Sequence, residues 1–396
     1  MKKFLVLLLV LVVSLSLVAC SGGDQSGEEG EATGPDEIRI GLVGPMSGPG
    51  AQYGAAMKEA AELAVEEINA AGGINGAEVV LFQEDDASVP AQAVSAVEKF
   101  ITQNEVHVVI GCYNSSCSLA AMEVTTREGV PHINPISTAL AITESGSEFI
   151  FRNCATNPMQ VGTVARYLFK TFPEKTRYAI IHENTDYGIG MKESFEALLP
   201  EFPDIELVAV EAYNPGDTDF YAQLTKIKSV NPDALFFASN LTEGSQIVKQ
   251  CAELGIGDDV IKFAMGGCST PEFFKLTEGA ATGAYNSSYF EPTDDDPLVK
   301  AFVEAYEKRW GRQPDMFAAA TYEAVYIAKA AVEGAEYVED LAQYRVNLRD
   351  AIRALKDLPG VQGGPTTFDE KGQAQKSVLV VQWQADGTKK IVQGVN

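Results

Sequence analysis

Hydroxyl and amide side chains gather at five places in this chain, each where a short apolar run ends and a helical pattern begins. They are Met46-Ser47-Gly48 with Tyr53 just beyond, Cys112-Tyr113-Asn114-Ser115-Ser116, Asn134-Pro135-Ile136-Ser137-Thr138, Asn184 to Tyr187, and Asn240. Such residues suit one kind of chemistry well: hydroxyls and free backbone N–H groups at a helix start can hold a carboxylate. Ser, Thr and Asn also cap helices for purely structural reasons, so no single cluster is a site by itself. Their recurrence at one end of successive strands points to a ligand crevice, because open α/β sheets bind ligands beyond the C-terminal ends of their strands.

The motifs of bond-breaking chemistry are missing. There is no G-x-S-x-G, no H-E-x-x-H and no G-x-x-x-x-G-K-[ST]. Gly188-Ile189-Gly190 opens a helix, but Glu193 stands where the dinucleotide fingerprint needs its third glycine. His182-Glu183 falls at a strand end and reads as a structural histidine. His107, His132 and His182 lack metal-ligand spacing, and no C-x-x-C occurs. Asp294-Asp295-Asp296 lacks the other positions of a calcium loop and reads as acidic residues at a helix N-terminus. The chain reads as a binder and not an enzyme, with no cofactor and no metal.

The elements that must position these clusters alternate. Strands are expected at Ile38 to Val43, Val79 to Phe82, Val106 to Ile110 and Val130 to Ile133. Helices over Ala51 to Ala71, Pro90 to Thr102 and Ser116 to Arg127 separate them. A second series follows, with strands at Tyr178 to His182, Ile205 to Val210, Ala234 to Ala238 and Val260 to Met265. Its helices are Gln160 to Lys170, Gly190 to Leu199, Phe220 to Ser229 and Ser245 to Leu254. Alternation of this kind implies parallel sheets covered by helices on both faces, here in two doubly wound lobes. The remainder is expected to form helices at Pro297 to Trp310, Met316 to Gly334 and Leu341 to Leu355. Strands Ser377 to Trp383 and Lys390 to Val395 would then join through a hairpin near Asp386-Gly387.

Composition narrows the partners. Thirty Lys+Arg against 55 Asp+Glu leave a formal net charge of −25, which disfavours nucleic acid and adsorption to anionic lipid. Lys2-Lys3 followed by the uncharged run Phe4 to Val18 has the form of an export signal, too short to span a bilayer. Leu17-Val18-Ala19-Cys20 looks like a bacterial lipobox, so residues 1–19 are expected to be removed and Cys20 lipidated. Residues 20–35 read as a flexible tether. Five cysteines remain, Cys112, Cys117, Cys154, Cys251 and Cys268, and an odd number leaves at least one unpaired.

Several segments carry a family resemblance: GPMSGPGAQYG (Gly44 to Gly54), EINAAGGINGAEV (Glu67 to Val79), EDDAS (Glu84 to Ser88) and VVIGCYNSSCS (Val108 to Ser118). INPIST (Ile133 to Thr138), AIIHENTDYG (Ala179 to Gly188) and GGPTTFDEKG (Gly363 to Gly372) continue it. In this order and over nearly the whole chain beyond the signal, it resembles the extracytoplasmic solute-binding proteins of branched-chain amino acid ABC transporters, the leucine/isoleucine/valine-binding type. The resemblance implies a type I periplasmic-binding-protein fold, two doubly wound parallel-sheet lobes joined by a three-stranded hinge. The lobes would be 36–155 with 288–362, and 156–287 with 363–396, closing on a ligand.

The resemblance also implies site residues. Ser115 and Thr138 match the hydroxyls that hold the ligand's carboxylate, and Ile136 a position contributing its carbonyl. Tyr53 and Tyr187 match aromatic walls and Phe317 an apolar wall. Two positions depart: Asn240 stands for a second-lobe tyrosine, and Cys268 for the acid that pairs with the ligand's ammonium. A buried ammonium needs a charge partner or several acceptors. The expected ligand is therefore a small carboxylate-bearing solute, an amino acid first, with an organic acid, amide or aromatic carboxylate as the alternative. The implied partners are an ABC permease and ATPase, or a membrane receptor in a sensing role, with the protein a lipid-anchored monomer outside the cytoplasm.

Overall fold

The computed structural model describes residues 34–394. The expected signal over residues 1–19, Cys20 and residues 21–33 of the tether lie outside the described residues. In chain order the first half contains β1 (Glu37–Gly44), α1 (Ala51–Ala70), β2 (Glu78–Asp85), α2 (Pro90–Thr102), β3 (Val108–Ile110), α3 (Ser115–Arg127), β4 (His132–Asn134), α4 (Ala141–Glu144) and β5 (Ile150–Arg152). Then come α5 (Asn157–Thr171), β6 (Arg177–Glu183), α6 (Asp186–Glu196), β7 (Glu206–Tyr213), α7 (Tyr221–Ser229), β8 (Ala234–Ala238), α8 (Leu241–Glu253), β9 (Ile261–Ala264), α9 (Pro271–Leu276) and β10 (Tyr285–Ser288). The chain ends with α10 (Pro297–Trp310), α11 (Met316–Gly334), α12 (Leu341–Ala354), β11 (Leu379–Trp383) and β12 (Lys389–Gln393).

Two sheets result. The first runs β2-β1-β3-β4-β5 and is parallel throughout. The second runs β12-β11-β10-β9-β8-β6-β7 and is parallel from β10 to β7. At its other edge the hairpin expected near Asp386-Gly387 is present: β12 pairs antiparallel with β11, and β11 joins the sheet antiparallel to β10.

Period-2 alternation sorts each strand between two helical layers. On β1, Ile38, Ile40 and Leu42 meet α1 and α11, while Val43 turns to α2 and α3. Close packing demands a glycine between them, since a Cβ on Gly41 would stand 2.6 Å from the Phe100 ring. On β6, Tyr178 and Ile180 pack under α5 and α6, whereas Ala179 and Ile181 face α7 and α8. Burying such side chains fully contributes about 1.5–3 kcal/mol each before entropy is set against it.

The chain crosses between the sheets after β5, after β10 and after α12. At the first and third crossings the backbone of Arg152 pairs with the returning strand, donating to the Gly372 carbonyl at 2.8 Å and accepting from Ala374 N at 2.9 Å.

Strands β5 and β10 do not stand out in the sequence. The first is three residues long. The second, Tyr-Asn-Ser-Ser, is polar yet buried, because its side chains find partners: Asn286 Nδ2 donates to Cys268 O at 3.1 Å, and Ser287 Oγ to Gln160 Oε1 at 2.8 Å. Helices α6 and α8 both begin four residues earlier than their apolar periodicity suggests. That places Asp186, Tyr187, Thr242 and Glu243 in first helical turns. The five cysteines of the described residues are free thiols and all buried.

Candidate functional site

A cavity of about 430 Å³ lies between the lobes, beyond the C-terminal ends of strands from both sheets. Seven of the eight residues expected from the sequence line it: Tyr53, Ser115, Ile136, Thr138, Tyr187, Asn240 and Phe317. Cys268 does not.

The first lobe supplies a rigid cradle. Ser115 is the first residue of α3, and its Oγ accepts a hydrogen bond from Ala139 N at 3.3 Å. Asn134 shapes the loop carrying Thr138: its Oδ1 accepts from Ile136 N at 3.1 Å and Ser137 N at 2.9 Å, an Asx turn. Ser137 Oγ then ties this loop to the one before α3, donating to Tyr113 O at 2.8 Å. From below, Arg152 Nη1 donates to Ala139 O at 2.6 Å and Ser137 O at 3.4 Å, the carbonyls on either side of Thr138. Met46-Ser47-Gly48 lies elsewhere: Met46 N and Ser47 N donate to Asp85 Oδ1, and only Tyr53 of that cluster reaches the cavity.

Three rings form an apolar wall. Tyr53 stacks on Tyr113 with centroids 4.1 Å apart, and Phe317 meets both edge-on at 5.1 and 5.5 Å. The Tyr53 hydroxyl is spoken for by the second lobe, donating to Gly267 O and accepting from Leu241 N, each at 2.9 Å. Tyr113 Oη donates to Asn240 Oδ1 at 2.8 Å and Ser116 Oγ to Asp186 Oδ2 at 2.6 Å. The lobes are therefore closed on one another, with Tyr53 acting as wall and latch together.

The second lobe contributes Glu183 and Glu243, which do not stand out in the sequence, along with Gln160, and Tyr289 lines the cavity from the crossing just after β10. Glu183 ends β6 on the face of Ala179 and Ile181, directed toward α8, where Glu243 occupies the first turn. Asn240 Nδ2 donates to Glu183 Oε2 at 2.8 Å, so the residue in the tyrosine position orients a carboxylate instead. The signal that could have found Glu183 was its place at a strand's C-terminal end, on the period-2 face turned to α8. Cys268 is fully buried, and its thiol donates to the carbonyls of Ser239 at 3.4 Å and Asn240 at 3.6 Å. A Cβ on Gly244 would sit 2.4 Å from that sulfur, so Cys268 packs beneath the start of α8 instead of opening to the cavity.

Burial pushes the Glu183 carboxyl up to about 7, helped by the Glu243 charge and opposed by the Asn240 hydrogen bond. A carboxyl raised above its ordinary value favours folding while neutral, so this contribution is complete below about pH 4.5 and is lost as the pH rises through 7. Glu183→Gln removes the titration. The stability of the variant relative to the parent should therefore rise by about 3 kcal/mol between pH 4.5 and pH 8, read by urea unfolding of the ligand-free protein. Asp86, pushed up to about 6 by burial, and His132, pushed down to about 4, cancel in that comparison because both chains contain them. A difference independent of pH would place the Glu183 carboxylate in contact with water.

Comparison with known proteins bears on this geometry. The periplasmic binding protein family model matches residues 37–388. The Leu/Ile/Val-binding protein BraC3 of Rhizobium johnstonii is 33% identical over 350 residues, covering 88% of this chain and 92% of that protein. Among solved structures, the branched-chain amino acid transporter substrate-binding protein LivJ of Streptococcus pneumoniae, in complex with isoleucine, superposes with a TM-score of 0.80 at 30% identity. It covers 90% of this chain and 99% of its own. The leucine-binding protein LivK of Thermotoga maritima gives 0.81 at 27% identity, covering 91% and 99%. Both are two-lobed structures of the kind described above.

Proposed function

This chain belongs to the periplasmic binding protein family, in its Leu/Ile/Val-binding branch, and from that premise we propose that it captures a small carboxylate-bearing solute between its lobes. An aliphatic amino acid is the first candidate, as in the LivJ and LivK relatives. The lobes are read as 36–155 with 288–362 and 156–287 with 363–396, swinging about the three crossings. Ser115 and Thr138 hold the carboxylate, Ile136 turns its carbonyl to the ligand, and Tyr53, Tyr187 and Phe317 pack its apolar part. The closed form hands the ligand to a membrane permease driven by a separate ATPase, from a position outside the cytoplasm where lipidated Cys20 keeps it.

The observation that carries this reading is the closed inter-lobe cavity, at the strand ends of both sheets, with an uncharged hydroxyl cradle on one side. Closure is linked to binding because a ligand touching both lobes stabilises only the form in which both reach it. A thermal-shift panel of the amino acids, 4-methylpentanoate and benzoate tests the reading. A true ligand at 100 times its Kd adds about 2.7 kcal/mol of stability, worth several degrees in a protein of this size. A panel without a shift would sink it.

The cradle has its own test. Ser115→Ala and Thr138→Ala each remove a hydrogen bond to a charged group and should weaken binding by about 1–3 kcal/mol in titration calorimetry. Unchanged affinity in both variants would put the carboxylate elsewhere.

A further inference from the structure

Among the described residues, two charged side chains line the inter-lobe cavity, Glu183 and Glu243, and no lysine, arginine or histidine joins them there. They are 4% and 5% exposed. Glu183 accepts one hydrogen bond, from Asn240 Nδ2 at 2.8 Å, and Glu243 accepts one, from Gly216 N at 3.1 Å. Among the described residues each carboxylate keeps its second oxygen without a hydrogen bond. Two hydroxyls in the same cavity are also unengaged. Tyr187 Oη is buried and has no partner, and Tyr289, 2% exposed, makes no side-chain hydrogen bond. Buried carboxylates without a counter-charge are costly, and burying two close together is costlier still. The cavity thus lacks a positive charge that its own residues do not supply.

We propose that the ligand supplies it: a positively charged ammonium seats against Glu183, with Glu243 behind it, so that the cavity selects amine-bearing carboxylates over their des-amino analogues. This rests on the carboxylate cradle proposed above and names the group at the ligand's other pole. The chain thereby keeps an ammonium site although Cys268 is turned away, since the counter-charge comes from the end of β6 instead of the loop after β9. Asn240 is a positioning residue in this arrangement. It accepts from Tyr113 Oη at 2.8 Å and donates to Glu183, a relay that runs from the first-lobe loop to the carboxylate and forms only when the lobes meet.

The groups facing Glu183 are Glu243 from α8, the amide of Asn240, and the phenols of Tyr113, Tyr187 and Tyr213. His182 Nδ1 lies 3.0 Å from the backbone carbonyl of Glu183 and does not bond its carboxylate. No base therefore competes for the acid, which is partly protonated in the empty cavity near pH 7. An arriving ammonium ionises it and releases about half a proton at pH 7.

Titration calorimetry of the exported chain compares L-leucine with 4-methylpentanoate at pH 7, in phosphate and in Tris, whose ionisation enthalpies differ. L-leucine should bind at least about 30-fold more tightly than its des-amino analogue, as expected for a desolvated charge pair. Its apparent enthalpy should differ between the buffers, while that of 4-methylpentanoate should not. Glu183→Gln should cut the preference by about tenfold or more and abolish the buffer difference. The inference is overturned if the parent protein binds both ligands alike, if leucine binds without proton release, or if Glu183→Gln keeps the full preference. Binding of neither leucine nor 4-methylpentanoate, in a panel where no other solute binds, overturns the cradle reading and this inference with it. Proton release is read on the parent protein, so the test survives a variant that does not fold.

Discussion

Arg152→Met is expected to lower stability by about 3–5 kcal/mol and to weaken ligand binding about tenfold or more. Arg152 is fully buried at the end of β5, and every arm of its guanidinium is engaged. Nε donates to Gln373 Oε1 at 2.5 Å, Nη2 to Thr143 Oγ1 at 2.6 Å, and Nη1 to the carbonyls of Ala139 and Ser137. Burial pushes its pKa down to about 10, which still leaves it charged at neutral pH. Methionine matches the stem but leaves those acceptors buried without donors, and each unsatisfied group costs about 1–3 kcal/mol. The same loss frees the loop carrying Thr138, which explains why a residue outside the cavity should change affinity. Arg152→Lys should rescue little, because one ammonium cannot reach acceptors arranged around a planar fork. Urea unfolding with calorimetric titration of L-leucine checks both effects. A parent-like midpoint would show that the buried guanidinium is dispensable.

Lys376→Met is the second large effect, of about 3–5 kcal/mol, or on the order of 10 °C in Tm. Lys376 Nζ lies 2.8 Å from Glu323 Oε1, with side chains 0% and 1% exposed. It also donates to Gln362 O, Gly364 O and Thr366 Oγ1. Glu323 Oε2 in turn accepts from Val361 N at 3.1 Å and Gln362 N at 3.4 Å, so α11 is stapled to the segment returning to the second lobe. Removing the lysine strands a buried carboxylate, the costly way to break such a pair. The double variant Lys376→Met/Glu323→Leu should recover part of the loss but not all, because Val361 N and Gln362 N would then lack their acceptor. Equal losses in the single and double variants would show that the backbone staple, not the stranded charge, carries the cost. Gly360 belongs to the same construction, since a Cβ there would meet Glu323 Oε2.

Neither cluster was visible in the residues alone. Arg152, Lys376 and Glu323 are charged residues in otherwise ordinary segments, and local patterning assigns such residues to the surface. What buries them is the return of the chain through the hinge, which brings residues 360–376 against β5 and α11. The polar strand β10 escaped for a related reason: Asn286 and Ser287 read as loop residues until Cys268 O and Gln160 give them partners.

The sequence by itself determined the alternation of strands and helices, the two-lobed class and the strand-end loops that carry Ser115, Thr138, Tyr187 and Asn240. These follow from periodicity and capping, which depend on neighbours a few residues away. Only the tertiary structure decided that Cys268 packs beneath α8, that Tyr53 spends its hydroxyl bridging the lobes, and that Glu183 and Glu243 meet in one cavity. The physical reason is that a strand-end side chain takes its direction from the pleat, the register with its neighbours and the closure of the lobes. Those are relations between segments far apart in the chain, and a buried charge acquires its meaning only from what surrounds it there.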